Sequence, residues 1–234
     1  MFLKLNNRLC VCAEFVSGCG MAVDVGTDHA LLPVYLIDSG KCSEVIACDI
    51  NEKPLEFARK TVLSSGFSDK IKLVLSDGLE RIASNGVTDV IIAGMGGELI
   101  SQIIARADWL KNDVHLILQP MTKAEILRKW LCDNSFEILK EQAVSDCGIV
   151  YSVIQAKYTN DNISYDDYYL YTGKVSANSI EGQKYMLVQA QRLKKIAQGL
   201  MLSDRDKNEA DRYLSLYERI RTEANFYDKS RTDL

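Results

Sequence analysis

The 234-residue sequence has only two histidines, no CxxC pair and no long uncharged apolar run. Each shortage removes a class of function. A membrane span needs about 18 or more consecutive apolar residues, so no membrane partner is expected. The start, MFLKLNNRL, reaches Arg8 and then Glu14 without an apolar leader core, so no secretory signal is read there. GxxxxGK[ST], GxSxG and HExxH are all missing, which argues against an NTPase, a serine hydrolase and a zinc peptidase. The first glycine turn reads GTDHAL rather than GxGxxG, so a dinucleotide dehydrogenase is disfavoured.

The seven cysteines are Cys10, Cys12, Cys19, Cys42, Cys48, Cys132 and Cys147. Their number is odd, and several sit in apolar runs, as unpaired thiols packed like small hydrophobes do. Cys10, Cys12 and Cys19 lack the second knuckle of a zinc site, and His29 and His115 stand far apart. Buried free thiols, no metal and a cytoplasmic location are therefore expected. Composition, 47% hydrophobic and 26% charged, is that of a soluble globular chain. The net charge is −4 and unevenly spread, with residues 181–234 at +2 and residues 1–180 at −6. That balance argues against nonspecific coating of nucleic acid, though not against a local basic face.

Hydrophobic period organises the chain into alternating strands and helices. Strands are expected at 21–25, 44–48, 71–75, 88–93 and 114–118. Helices are expected at 29–39, 52–65, about 79–85, from Gly97 to about Ala107, and 122–134. Asp28 is the expected cap of the first of these, with Pro33 in its first turn, and Gly66 stops the second. Runs 136–145 and 149–158 then follow each other directly around Asp146-Cys147-Gly148, which reads as an antiparallel hairpin. Five strand–helix alternations imply a parallel sheet covered on both faces. The fold class is α/β: a Rossmann-like, seven-stranded sheet of methyltransferase type. Residues 159–178, rich in Tyr, Asp, Asn and Ser, read as a connecting segment. From Ser179 a helical period returns, breaks at Ser203-Asp204-Arg205-Asp206 and resumes, giving a C-terminal α-helical coiled-coil hairpin. Two domains are expected, 1–158 and 159–234.

The chemistry-bearing residues all fall at strand ends, where open α/β sheets bind ligands. Asp24-Val25-Gly26-Thr27-Asp28-His29 closes the first strand, and Asp49 closes the second with Asn51 beyond it. Asp77-Gly78, Gly94-Met95-Gly96-Gly97 and Gln119-Pro120 close the next three. Asp49 follows Asp24 by 25 residues, near the offset of a ribose-binding acid. Asp77 is placed to meet an adenine amino group, and Gly26 lets backbone approach a ligand. An acidic rim suits S-adenosyl-L-methionine (SAM), whose sulfonium and ammonium are cationic, and repels a pyrophosphate.

DVGTDHALLP (24–33), ACDIN (47–51), SDGL (76–79), IAGMGG (92–97) and LILQP (116–120) together resemble the bacterial tRNA (adenine-22, N1) methyltransferases, the TrmK family. The likeness runs in motif order from LNNRL (5–9) to about residue 158. It implies methyl transfer from SAM to N1 of adenosine 22 in tRNA. It also implies a SAM-binding set of Asp24, Gly26, Thr27, Asp28, His29, Asp49, Ile50, Asn51, Asp77, Gly78, Gly94, Met95, Gly96 and Gly97. Asp28, Gln119 and Pro120 are the implied catalytic residues, and Met121 stands where relatives often carry Asn. Lys4, Arg8, Arg192, Lys194 and Lys195 are the expected tRNA contacts, and a monomer or weak homodimer is expected. Blander roles stand beside these: Asp28 as a helix cap, the glycines as tight turns, the basic hairpin residues as a solvated face, and Tyr165, Tyr168, Tyr169 and Tyr171 as cover for the seam between domains. Two other functions remain open at this point: a noncatalytic SAM or nucleotide sensor whose hairpin binds a protein, and a small-molecule methyltransferase.

Overall fold

The computed structural model describes residues 4–203 and 206–232. Met1–Leu3 of the leader reading, and Asp204 and Arg205 of the polar break, lie outside the described residues, as does the side chain of Cys19. Seven strands form one sheet: β1 (Cys19–Val25), β2 (Cys42–Asp49), β3 (Ile71–Leu75), β4 (Val87–Gly96), β5 (His115–Thr122), β6 (Phe136–Asp146) and β7 (Ile149–Tyr158). Their spatial order is β3-β2-β1-β4-β5-β7-β6. The first five run parallel, and β7 is antiparallel to both its neighbours. The chain leaves β3 at one edge and returns as β4 on the far side of β1, so the topological switch point lies between β1 and β4.

Helices α1 (Asn7–Phe15), α2 (Leu31–Asp38) and α3 (Glu52–Ser65) cover one face, while α4 (Gly97–Ala105) and α5 (Ala124–Asp133) cover the other. The alternation of strand side chains assigns them to two cores. Val23, Val25, Val90, Ile92, Leu116 and Leu118 join the α4/α5 core. Ala22, Ile91 and Ile117 join the α1/α2/α3 core. The central parallel strands β1, β2, β4 and β5 are largely buried on both sides, which is why their runs read as continuously apolar rather than alternating.

A short helix, α6 (Asp167–Thr172), precedes α7 (Ile180–Ser203) and α8 (Lys207–Thr232). Met186, Ala190, Leu193, Leu216, Ile220 and Ala224 form the seam of the α7/α8 hairpin. Tyr168 and Tyr171 of α6 pack on that seam, Tyr169 packs on the sheet core, and the Tyr165 hydroxyl donates to Asp133 Oδ1 at 2.5 Å. The tyrosine cluster therefore covers the junction between the two parts of the chain.

Several sequence expectations are corrected. Residues 79–85 form successive turns, not a helix. Leu79 and Ile82 are both drawn into the α4/α5 core, and Gly86 at φ +80° enters β4 at once. The connecting segment 159–178 contains α6, because Asp166 caps it by accepting the Tyr169 N–H at 2.8 Å. Cys147 is exposed, unlike the buried Cys12, Cys42, Cys48 and Cys132. It shares a tight hairpin turn with Gly148, at φ +48° and +80°, and such a turn lies at the surface.

Candidate active site

Strand alternation puts Asp24, Ala93 and Gln119 on the α1/α2/α3 face at the carboxyl ends of β1, β4 and β5. They meet at the switch point. A cavity of about 340 Å³ opens there, with Asp24, Gly26, Thr27, Asp28, His29 and Gly94 in its wall and Arg8 of α1 across from them. Gly26 has φ +79°, and its N–H donates to Cys48 O at 2.8 Å, tying the turn to β2. A Cβ on Gly26 would collide with Met95 Cε, so a thioether from β4 packs directly over this turn. Gly94 has φ +80°, a conformation that favours glycine.

Asp28 does not cap α2. The residue before that helix is Ala30 in the left-handed region at φ +53°, and no side chain caps it. The Asp28 side chain is 79% exposed and stands 3.5 Å from His29 Nε2. Asp28 is therefore no helix cap, and its exposed carboxylate stands in the cavity wall beside His29.

Asp24 is the buried acid of the site, with 7% exposure. Burial pushes its carboxyl up to about 6, and the Asp49 carboxylate pushes the same way. The nearby Thr27 hydroxyl offsets part of this without reaching hydrogen-bonding geometry, so its buried oxygen is left for a ligand. No cationic side chain of the described residues pairs with Asp24. A buried carboxylate and a buried hydroxyl, both lacking partners, fit a cationic ligand with N–H donors, and SAM supplies both. The uncapped start of α2, also in the cavity wall, suits that ligand's carboxylate.

Asp49 and Asp77 stand outside the cavity wall, further along the same sheet edge on β2 and just past β3. The Asn51 N–H donates to Asp49 Oδ1 at 2.8 Å and orients that carboxylate. Ile50 beside it is 59% exposed, an apolar surface next to an acid. Asp77 takes a forked contact from Arg106, at 3.0 and 3.2 Å, which holds its carboxyl below the usual carboxylate range. Arg106 was missed in the sequence because it ends α4, 29 residues away.

Other expected site residues are placed differently. Gly97 lies against the Lys123 carbonyl, where a Cβ would collide, and Gly78 meets Ile103; both are closely packed, and neither is in the cavity wall. Gly96 lies beside Thr122. Gln119 is fully buried, and its Oε1 accepts from Gly94 N at 3.1 Å and from Arg8 Nη1 at 2.8 Å. Its Nε2 donates to Pro120 O at 3.0 Å, so the whole amide holds the site's backbone and presents no free group. Arg8 is not a free tRNA contact either. Its Nε donates to Asp146 at 2.7 Å, and its guanidinium lies over the Tyr151 ring. Arg192 forms a forked pair with Glu125 at 2.9 and 2.6 Å, which pins α7 to α5. Lys194 lies over the Tyr217 ring, while Lys4 and Lys195 are exposed.

A methyltransferase-domain family model matches residues 5–154. The tRNA (adenine(22)-N(1))-methyltransferase of Bacillus subtilis strain 168 is 36% identical over 172 residues, 73% of this chain and 72% of that protein. This chain belongs to the TrmK family. The crystal structure of B. subtilis TrmK, an m1A22 tRNA methyltransferase, superposes with a TM-score of 0.84 at 28% identity, covering 94% of this chain and 99% of that one. M. capricolum TrmK, solved with S-adenosyl-homocysteine, gives 0.73 at 26% identity, covering 96% and 98%. The family membership makes this a SAM-dependent methyltransferase whose sheet and paired C-terminal helices follow the TrmK plan.

Proposed function

We propose that this protein transfers the methyl group of SAM to N1 of adenosine 22 in tRNA. The observation that carries the reading is the partnerless acid at the switch point: a buried Asp24 beside an exposed Asp28, in a chain whose motifs are those of the TrmK family. When bound, SAM supplies an electrophilic methyl group on a positively charged sulfur. Asp24, Thr27 and the start of α2 would hold its amino-acid end, and Asp49 its ribose. Asp77, already oriented by Arg106, lies along the same edge for the adenine.

The target base attacks through its in-plane N1 lone pair, so no protein nucleophile is needed. Catalysis is then mainly positioning of the base. Methylation leaves the adenine cationic across N1 and N6. Asp28 sits at the cavity mouth as a carboxylate that stabilises this charge and accepts the N6 proton. Gln119 positions the Gly94 backbone against the reacting atoms. The base reaches the cavity only after leaving its stack. Residues 1–158 form the catalytic part and 159–234 the linker and hairpin. Exposed Lys4 and Lys195 remain candidates for the RNA backbone. The acting species in this reading is a cytoplasmic monomer or weak homodimer.

The test is methylation of transcribed tRNA carrying A or G at position 22, followed by mapping of the modified nucleoside. Product confined to the A22 transcript and mapped to 1-methyladenosine at that position supports the reading. SAM binding without turnover on either RNA would favour a sensor instead.

A further inference from the structure

A second hollow, of about 460 Å³, lies between the end of β5, the start of β7 and α7. Its wall exposes apolar surface: Met121 is 37% exposed, Ile149 56% and Val188 51%. Tyr151 adds an aromatic face. The groove adjoins the active site through one side chain. Arg8 lines the catalytic cavity, lies 5.3 Å over the Tyr151 ring, and donates to Met121 Sδ at 3.1 Å. Unlike that cavity, the groove has no carboxylate in its wall, and its two charged members, Lys123 and Arg192, are paired with Glu98 and Glu125. Nearby Glu125 and Asp146 are neutralised by Arg192 and Arg8. Gln189, also in the wall, makes no hydrogen bond with its amide among the described residues and so keeps donors and an acceptor for a base edge.

We propose that this groove receives the nucleobase adjacent to the target adenosine, resting on the tRNA reading given above. A base drawn out of its stack breaks the stack on both sides, and its neighbour needs a new apolar or aromatic surface. Met121, Ile149, Val188 and Tyr151 supply that surface beside the cavity mouth. The free Gln189 amide supplies polar contact, and the wall without acids admits an anionic strand. Met121 thus serves as part of a stacking platform.

The experiment uses full-length tRNA with an abasic nucleotide at position 21 or at position 23, beside intact tRNA. Wild-type, Val188→Asp and Gln189→Ala enzymes are assayed for kcat and KM, with SAM affinity measured by calorimetry as the control for a folded site. One abasic RNA is expected to raise the wild-type KM about tenfold, the scale of losing a stacked base, with kcat little changed. Val188→Asp is expected to raise KM similarly on intact tRNA and to add nothing on that abasic RNA, with SAM affinity unchanged. Gln189→Ala, which adds no charge, carries the same comparison should Val188→Asp misfold. Unaltered KM on both abasic RNAs, or losses that simply multiply, would overturn the proposal. Failure of the wild-type enzyme to methylate intact tRNA would instead sink the tRNA reading itself.

Discussion

Replacing Arg128 with methionine isolates a fully buried tie between the sheet and the hairpin. Arg128 and Glu141 have no side-chain exposure, and the shortest contact of their pair is 2.5 Å. The same guanidinium donates to Leu170 O and to Tyr185 Oη, each at 2.6 Å, so one side chain joins α5 and β6 to α6 and α7. Glu141 also accepts the Lys174 N–H at 3.2 Å. Removing the cation strands a carboxylate in the interior, which costs about 3–5 kcal/mol. For a protein of this size that is roughly 6–20 °C in melting temperature. Urea titration followed by circular dichroism reads the loss. Arg128→Met combined with Glu141→Gln removes the stranded charge while keeping an acceptor for Lys174, and should recover about half of it or more. A single variant within about 1 kcal/mol of wild type, or a double variant as damaged as the single, would refute this account of the junction.

Three further outcomes follow from the site. Asp24 titrates near 6 in the folded, unliganded protein against 3.8 for the free side chain. Its proton therefore leaves the unfolded chain first, and the unliganded protein loses stability as pH rises from about 4 through 6. A bound cation favours the charged form, so SAM affinity should fall as pH drops through about 6, and Asp24→Asn should flatten that dependence in calorimetry. Asp28→Ala should lower kcat on tRNA by about a hundredfold or more while thermal melting stays unchanged, because its side chain is exposed and caps nothing; near-normal turnover removes it from the mechanism. Gln119→Leu strips the Gly94 N–H and Arg8 of a buried acceptor and should destabilise the protein by about 1–3 kcal/mol with a larger loss in kcat than in SAM affinity; an equal loss in both would place Gln119 in general packing alone.

Much of the architecture was legible because its causes are local. The helix at 52–65 and the strand at 71–75 match their elements residue for residue, since Gly66 ends α3 at φ +78° and IKLVL carries the alternation of a strand. The acids and glycines at strand ends were visible for the same reason: the strand that carries them also places them. The misread segments failed through tertiary override. Residues 79–85 have helical composition, yet two of them are pulled into the core as a turn. Asp28 has the residue type of a cap, yet the backbone enters the left-handed region at Ala30 before α2 begins.

Chain order and residue type were enough to establish the parallel sheet and its acidic rim, because alternation and strand-end chemistry repeat along the chain, while the family was legible only through the resemblance of its motif strings. They could not say which charged groups were already spent. Arg8 on Gln119, Arg106 on Asp77 and Arg128 on Glu141 are joined across 111, 29 and 13 residues, and such pairings exist only once the elements pack. Packing alone therefore decided that Asp24 is a mostly buried acid with no cationic partner among the described residues, because Arg8, across the cavity, is held by Asp146 and Gln119.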